Sequence, residues 1–200
     1  MTDIVLLPRI TAHIIEGCRM ERLAICGLGP DRPGIVAGLT GVLYVLGGNI
    51  EDSSMTILEN SFTWIVIATL PDGVETSTLE KELSKLESAM GVRLFVLPVQ
   101  KSSSVPEFGY NPEPHLFTVA GRDRTGITYR FSDVLARFAV NITDLHARTI
   151  AGQDGPVYIL MIEAQTPQNI DWPALDTELN LLASEMDVEV RHHAIDSAML

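Results

Sequence analysis

The chain has 200 residues, of which 46% are hydrophobic and 20% are charged, and its formal net charge is −12. Both halves are acidic, with 7 basic against 12 acidic side chains in residues 1–100 and 7 against 14 in residues 101–200. Neither half has the Lys and Arg cluster that a phosphate backbone requires, which argues against direct contact with nucleic acid.

The cysteine content and the N-terminus bear on the cellular compartment. Cys18 and Cys26 indicate neither a disulfide framework nor a zinc site, and we predict a reducing cytoplasm. No stretch approaches the roughly 18 apolar residues of a membrane span. Residues 1–20 lack the basic start of an export signal, and Pro8 interrupts their apolar run. We assign them to an N-terminal extension, which is an added strand or helix or results from an upstream start.

The first predicted elements are a strand and a helix. Residues 23–27 form a short apolar run that stops at a glycine, as buried strands do. Residues 35–46 place apolar side chains at i, i+4, i+7, i+8 and i+11, which is one face of a helix. Gly47 then ends the helix, because glycine accepts the left-handed conformation found past a helix C-terminus.

A hairpin and a second helix follow. Residues 55–57 and 63–70 flank a short polar turn and are predicted to pair. The second helix opens with capping-box spacing from Ser77 and ends near Gly91, before a strand over residues 92–99.

The same pattern then recurs in the second half of the chain. A first block returns 92 positions later: Asp31, Gly34, Ile35, Leu39, Val42, Leu43, Leu46, Asn49, Ile50 and Asp52 match Asp123, Gly126, Ile127, Phe131, Val134, Leu135, Phe138, Asn141, Ile142 and Asp144. A second block returns 96 positions later: Pro71, Leu79, Leu83, Leu86 and Met90 match Pro167, Leu175, Leu179, Leu182 and Met186. The four extra residues fall within the hairpin turn, as expected of a duplicated domain.

The order of elements predicts the fold class. A strand, helix, strand, strand, helix, strand order favours a four-stranded antiparallel sheet with two helices on one face, the α+β ferredoxin-like (βαββαβ) arrangement. We predict two such domains in tandem, over residues 21–100 and 115–200. Residues 101–114 contain three serines in a row and three prolines, and are predicted to be the linker.

Two segments of each repeat resemble a known family. Gly-Pro-Asp-Arg-Pro-Gly-Ile occupies residues 29–35, Gly-Gly-Asn-Ile-Glu-Asp-Ser occupies residues 47–53, and residues 121–127 repeat the first segment. These segments resemble those of ACT domains, small ligand-sensing modules of amino-acid metabolism. The tandem pair without a catalytic domain resembles the glycine cleavage system transcriptional repressor family over nearly the whole chain. The second repeat departs from the pattern at Thr125, where proline is preferred, and at Val140, which replaces a glycine.

The resemblance implies regulation by binding a small amino acid, such as glycine or serine, with no reaction catalysed and no cofactor. The family's ligand positions correspond here to six residues: Asp31, Gly34, Asn49, Asp123, Gly126 and Asn141. The expected partner is a protein such as a transcription regulator, without direct nucleic-acid or membrane contact, and a homo-oligomer is compatible. An interaction module without a ligand and an enzyme of unknown type are the alternatives, although no nucleophile–base pair is visible in the sequence.

The residues also allow structural interpretations. Asp31 and Asp123 suit the capping of their helices, which we favour because a carboxylate repels a ligand carboxylate. The glycines of the loop suit a tight turn and close helix-to-sheet packing. Asn49 and Asn141 suit turns, since asparagine tolerates left-handed geometry.

Helix length restricts which of these residues can share a ligand. A helix over residues 35–46 spans roughly 18 Å at about 1.5 Å per residue, so Asp31 and Asn49 cannot hold the same small molecule. If both are functional, we expect composite sites that pair Asp31 with Asn141 and Asp123 with Asn49 about a pseudo-twofold axis between the repeats.

The first helix differs between the two copies. Gly38 and Gly41 correspond to Arg130 and Asp133, so the two helices present different outer faces. Because a helical glycine costs roughly 1 kcal/mol relative to alanine, we predict that the small residues allow another backbone or a partner to approach closely.

Other candidate residues have weaker support. His192 and His193 are adjacent on a predicted strand and therefore point to opposite faces, which disfavours chelation of one metal ion. His146 is expected on an edge strand facing solvent. Cys26 is predicted to be a buried small hydrophobic residue.

Overall fold

The computed structural model describes residues 21–99, 109–152 and 155–195. It divides into two compact units, Met1–Ser103 and Ser104–Leu200. The predicted N-terminal extension, residues 1–20, lies outside the described residues, as does most of the predicted linker.

Each unit contains six elements in the predicted order. The first unit comprises β1 (Glu21–Pro30), α1 (Ile35–Val45), β2 (Asn49–Leu58), β3 (Ser61–Leu70), α2 (Thr76–Met90) and β4 (Arg93–Pro98). The second unit comprises β5 (His115–Arg122), α3 (Ile127–Arg137), β6 (Asn141–Gly152), β7 (Gly155–Gln165), α4 (Trp172–Met186) and β8 (Val188–Ala194).

The strands of each unit form a four-stranded antiparallel sheet. The order is β2-β3-β1-β4 in the first unit and β6-β7-β5-β8 in the second. This topology confirms the predicted α+β ferredoxin-like fold in both copies. In the described part of the chain, no helix is long and apolar enough to span a membrane.

The core of the first unit lies between its sheet and its two helices. Leu23 and Ile25 alternate along β1 and are fully buried, and α1 meets them with Leu39 and Leu43, which are one helical turn apart. The Cys26 side chain points to the other face of the strand, and it is half-buried on the side of the sheet that carries no helix. The prediction of a buried cysteine was therefore wrong, because its apolar run belongs to a strand with only one covered face.

The second unit repeats this construction with an aromatic side chain on both its first strand and its first helix. Phe117 and Val119 of β5 are buried against Ile127, Phe131 and Leu135 of α3. Burial of one such aromatic side chain contributes about 1.5–3 kcal/mol relative to leaving it exposed. Each core consists of residues from its own unit.

A glycine precedes the first helix of each unit, and a glycine also follows it in the first unit. The N-cap residues Gly34 and Gly126 have φ of +98° and +95°, a region that side chains with a Cβ rarely adopt. Gly47, just past α1, has φ of +72°, as its sequence position predicts.

The predicted capping box at Ser77 was wrong. The N-cap of α2 is Glu75, which makes no side-chain cap hydrogen bond, and the Ser77 hydroxyl bonds the Glu75 carboxylate at 3.0 Å. The C-terminal glycine was predicted correctly, since Gly91 follows α2 with φ of +72°.

The four-residue insertion lengthens a hairpin. The β2–β3 ladder closes with Leu58 opposite Ser61, whereas the β6–β7 ladder continues to Gly152 opposite Gly155. The extra residues thus add two pairs to the ladder, where the sequence had suggested a longer turn. The inserted residues keep the alternation of the strands, so the sheet extends without a change of register.

The end of the predicted linker belongs to the second unit. The Asn111 amide donates to the Thr166 carbonyl at 2.7 Å, and the Gln168 amide donates to the Gly109 carbonyl at 2.6 Å. These bonds satisfy backbone groups that a free linker would leave to solvent.

Candidate functional site

Near its C-terminal end, the first strand of each unit is held close to the chain at the start of the last strand by a glycine. A Cβ on Gly29 would lie 2.8 Å from the Cα of Val92, and a Cβ on Gly121 would lie 2.8 Å from the Cα of Val188. These distances are shorter than any ordinary contact with backbone, so only glycine fits. Close packing of the chain therefore explains why the repeated motif begins with a glycine.

The N-terminus of the first helix is open in both units. The first intrahelical bonds run from the Gly38 amide to the Gly34 carbonyl and from the Arg130 amide to the Gly126 carbonyl, at 2.8 and 2.9 Å. The three amides before each of these lack an intrahelical acceptor. No side chain caps α1 or α3, in contrast to α4, where the Asp171 carboxylate accepts from an amide at 3.0 Å.

The two aspartates of the motif do not cap their helices, so the favoured capping interpretation was wrong. The Asp31 amide donates to the Asn60 carbonyl at 2.9 Å. Within the described residues, the Asp31 carboxylate makes no hydrogen bond or ion pair. Asp123 differs, because its Oδ2 accepts a hydrogen bond from the Thr149 hydroxyl at 3.2 Å. The first repeat thus has the freer carboxylate.

The two asparagines lie at the other end of the first helix. Asn49 and Asn141 are the first residues of β2 and β6, and both are exposed. Asp31 and Asn49 flank opposite ends of α1, whose 11 residues span roughly 16 Å. The predicted separation within one repeat is confirmed. The pairing of each aspartate with the asparagine of the other repeat stays a prediction.

Asn49 borders a shallow groove beside the C-terminal half of α1. The groove has a volume of about 550 Å³ and is lined by Ala37, Thr40, Gly41, Leu43, Tyr44, Gly48, Asn49 and Ile50. A Cβ on Gly41 would meet no atom within 4 Å, so this glycine keeps the groove open. The second repeat has Asp133 and Val140 in place of Gly41 and Gly48. The sequence did not single out Thr40 and Tyr44. The absence of charged residues from residue 35 to residue 50 was a signal that α1 carries an uncharged outer surface.

Gly38 has a structural role inside the first unit. A Cβ on Gly38 would lie 2.5 Å from the Leu86 Cδ1 of α2, so the glycine leaves room for this side chain between the two helices. The close approach predicted for this position is therefore to α2 of its own unit. In the second unit, Arg130 at the same position forms an ion pair with Glu185 across α3 and α4 at 2.5 Å. The ion pair replaces the close apolar contact.

A cluster of aromatic side chains that the sequence did not reveal joins α4 to its sheet. The ring of Trp172 stacks on His192, with centroids 5.1 Å apart and planes 6° apart, and lies 4.5 Å from the ring of His115. The His192 Nε2 is 2.8 Å from the Asp176 Oδ1. His193 lies on the opposite face of β8, beside Leu116 of β5. The predicted separation of the two histidines is confirmed.

We expect the cluster to make the stability of the second unit depend on pH. Burial lowers the pKa of His115 below its ordinary 6.5, and the neighbouring His192 lowers it further, against an opposing contribution from Glu113. Folding therefore favours neutral His115, and the unfolded chain binds its proton more readily. The stability that this provides is present above pH 6.5 and is lost as the pH falls through the folded pKa.

We expect the His115→Gln variant to lose part of this pH dependence. The urea midpoint of the wild type should fall between about pH 7 and pH 5, and the fall should be smaller in the variant. His146→Gln is the control, because the His146 side chain is 66% exposed on an edge strand and, among the described residues, pairs only with Asp144. Equal slopes in the wild type and the His115 variant would contradict the assignment.

The described residues hold no cluster of three or more His, Cys, Asp or Glu that suits a metal ion. A further groove lies between α3 and α4. Its charged side chains are already paired with one another, because Arg137 pairs with Glu178 at 2.6 Å and Arg130 pairs with Glu185. The unsatisfied groups of the repeated motif are therefore the open helix N-termini and the Asp31 carboxylate.

A family model described as the ACT domain matches residues 21–96 and matches again over residues 113–193. The two matches coincide with the two sheets and their helices. The repeated motif lies at the start of each match.

Several relatives are similar to the chain. The glycine cleavage system transcriptional repressor of Escherichia coli is 28% identical over 169 residues, which cover 84% of this chain and 86% of that protein. A UPF0237 protein of Methanocaldococcus jannaschii is 40% identical over 78 residues, which cover 38% of this chain and 87% of that protein.

Two solved structures share the fold along most of the chain. An unknown protein from Galdieria sulphuraria has a TM-score of 0.73 at 22% identity, covering 88% of this chain and 99% of that chain. A proposed glycine cleavage system transcriptional repressor has a TM-score of 0.64 at 21% identity, covering 90% of this chain and 99% of that chain.

Proposed function

Because the chain belongs to the ACT-domain family, we propose that its two domains sense a small amino acid and regulate another protein, without catalysing a reaction. The observation that carries the proposal is the open N-terminus of α1, which is not capped by any side chain. We take glycine and serine as the first ligands to test, given the similarity to the E. coli repressor.

The chemistry of a zwitterion suits the groups at this end of α1. Unbonded amides and the helix dipole favour an anion, and would hold the α-carboxylate of an amino acid. The Asp31 carboxylate is exposed and makes no ion pair in the described part of the chain, so it can receive the α-ammonium group. A repeated aspartate beside an anion site is thus explained by a ligand that carries both charges.

The loop glycine supports this arrangement. Gly34 holds the left-handed backbone that turns the chain into α1, and its missing side chain leaves the approach to the amides free. The second repeat has the same Gly126 geometry, but its Asp123 is bonded to Thr149. We therefore propose that the first repeat binds more tightly than the second.

The groove beside Asn49 is an uncharged surface in the same unit, separate from the site at the N-terminus of α1. It lies at the far end of α1, about 16 Å from Asp31, and has no charged residue among those that line it. We propose that Asn49 and Asn141 contribute amide hydrogen bonds to ligand recognition. Gly41 would keep this surface accessible in the first repeat.

The regulated partner is proposed to be a protein. The chain is acidic in both halves and offers no excess of basic groups for counterion release from DNA. The E. coli relative is named as a transcriptional repressor, so we propose a cytoplasmic transcription regulator as the partner. Such a chain would report an amino-acid level through protein–protein contact.

A thermal-shift panel of the twenty amino acids tests the proposal. A ligand that binds only the folded state raises the unfolding free energy by about 2.7 kcal/mol at about 100 times its Kd. Asp31→Asn should weaken binding about tenfold or more, because it removes a charged hydrogen-bond acceptor. Asp123→Asn is the matched change in the other repeat and should weaken binding less.

The result also separates the alternative functions. Tyr44 and Val45 on α1 are 85% and 80% exposed, which favours an interaction module as the second candidate. No stabilisation by any amino acid at millimolar concentration would remove the sensing proposal and leave that candidate. Equal binding by the wild type and the Asp31 variant would remove the assigned site while keeping the sensing role.

A further inference from the structure

The first sheet has an apolar face without a helix. Strand alternation directs every second side chain of β1, β3 and β4 away from the helices. The apolar residues on this open face are Ala24, Cys26, Leu28, Ile65, Ile67, Phe95 and Leu97. Leu28, Ile65, Phe95 and Leu97 are 51%, 52%, 58% and 57% exposed.

The open face of the second sheet is polar at matched positions. Phe95 lies beside Cys26 on β1, and in the second unit Arg191 lies beside Thr118 on β5. Ile67 pairs with Ala24, and its counterpart Glu163 pairs with Leu116. The same fold therefore tolerates charge at these positions, so the apolar residues of the first sheet are not required for folding.

Two charged residues mark opposite corners of the first face. Asp52 lies on the outer strand β2 in the row of Ile67 and Ala24, and Arg93 lies on the other outer strand β4 in the row of Leu28. Both are exposed, and neither makes an ion pair within the described residues. The corners are separated by three strand spacings across the sheet and four residues along it, and each of these distances is about 14 Å.

Because the two distances are nearly equal, Asp52 and Arg93 occupy opposite corners of a square, and one copy of the face is complementary to a second copy. If two copies of the face pack with their strands crossing at about 90°, a twofold axis between the sheets places each Asp52 opposite the Arg93 of the other copy. The apolar rows then meet in the middle. The second sheet cannot offer the same match, because its corresponding corners carry Asp144 and Glu189, and the same axis would place these two acidic side chains opposite each other.

We propose that two copies of the chain form a dimer through the open faces of their first sheets. The spacing and length of the strands give this face an area on the order of 400–600 Å² per copy, so the area that the dimer buries is at the low end for specific interfaces. The dimer is therefore reversible and depends on protein concentration. It does not require the amino-acid ligand, so it can be tested separately from the sensing role.

Sedimentation velocity over about 1 to 100 µM tests the dimer, and the wild type should shift from monomer to dimer in this range. The Phe95→Arg variant introduces the residue that the second repeat has at the same position, so the fold should persist by circular dichroism. It should remain monomeric at every concentration, because it places an unpaired charge among the apolar side chains of the interface. Met161→Glu, on the open face of the second sheet, is the control and should dimerise like the wild type.

Charge reversal tests the orientation. Arg93→Asp and Asp52→Arg should each weaken the dimer about tenfold, because each creates two like-charge contacts by symmetry. The Arg93→Asp/Asp52→Arg double variant should restore wild-type association. A double variant no better than the single variants would overturn the proposed geometry.

Cys26 provides an independent measurement. It lies in the middle row of the face, and the proposed axis brings the two Cys26 side chains within about 4 Å of each other laterally. In a Cys18→Ser background, a short bismaleimide should link two chains, and Phe95→Arg should prevent this. A wild type that stays monomeric at every concentration would overturn the proposal. So would an undiminished dimer in the Phe95→Arg variant.

Discussion

Replacing Phe131 with alanine is expected to destabilise the second domain by about 3–5 kcal/mol. Phe131 is 1% exposed and is among the largest fully buried side chains in the described structure. Its removal leaves a cavity between α3 and the sheet, because the surrounding elements relax only partly. A loss of this size is comparable with the whole stability of a small domain.

The matched control for Phe131 is on the same helix. Tyr129 is 73% exposed, and Tyr129→Ala should change the unfolding free energy by no more than about 0.5 kcal/mol. Urea unfolding followed by Trp172 fluorescence measures both variants, since Trp172 packs against the core of the second domain. A loss below about 1 kcal/mol for Phe131→Ala would contradict the observed core.

Gly29→Ala and Gly41→Ala are expected to change stability in opposite directions. A Cβ on Gly29 would lie 2.8 Å from the Val92 Cα and 3.1 Å from the Gly91 carbonyl oxygen, so β1 must move away from the backbone just before β4. Overpacking of this kind costs about 1–3 kcal/mol and occasionally more. At Gly41 no atom lies within 4 Å, and alanine gains up to about 1 kcal/mol of helix propensity.

Urea unfolding followed by Trp64 fluorescence measures this pair in the first domain. Gly121→Ala tests whether the effect repeats, because a Cβ on Gly121 meets the Val188 Cα at 2.8 Å. The same sign of change for Gly29→Ala and Gly41→Ala would show that helix propensity or unfolded-state entropy dominates at both positions. The steric assignment of Gly29 would then be wrong.

The sequence located most of the elements because local patterns control them. The spacing of apolar residues marked α1, and the glycines at positions 34, 47 and 91 adopt the positive φ that their places at helix ends suggest. Because the domain is duplicated, each element could be identified in two copies, and the two sheets have equivalent strand orders.

Sequence patterns were less reliable where several groups compete for one role. Ser77 has the spacing of a cap, yet the chain starts α2 after Glu75, and the serine bonds the Glu75 carboxylate. Asp31 and Asp123 precede helices without capping them, because Gly34 and Gly126 occupy the N-cap positions. The patterns identified polar residues near helix starts but not their hydrogen-bond partners.

The sequence by itself determined the duplication, the βαββαβ order and the position of the motif before α1 and α3, because these depend on spacing along the chain. Tertiary structure alone decided which sheet face the helices cover, since alternation separates two faces without saying which one is buried. It also brought His115, Trp172 and His192 together from three elements and left the Asp31 carboxylate without an ion pair in the described residues. Such contacts join residues far apart in the chain, and their partners are fixed only when the sheet and helices pack.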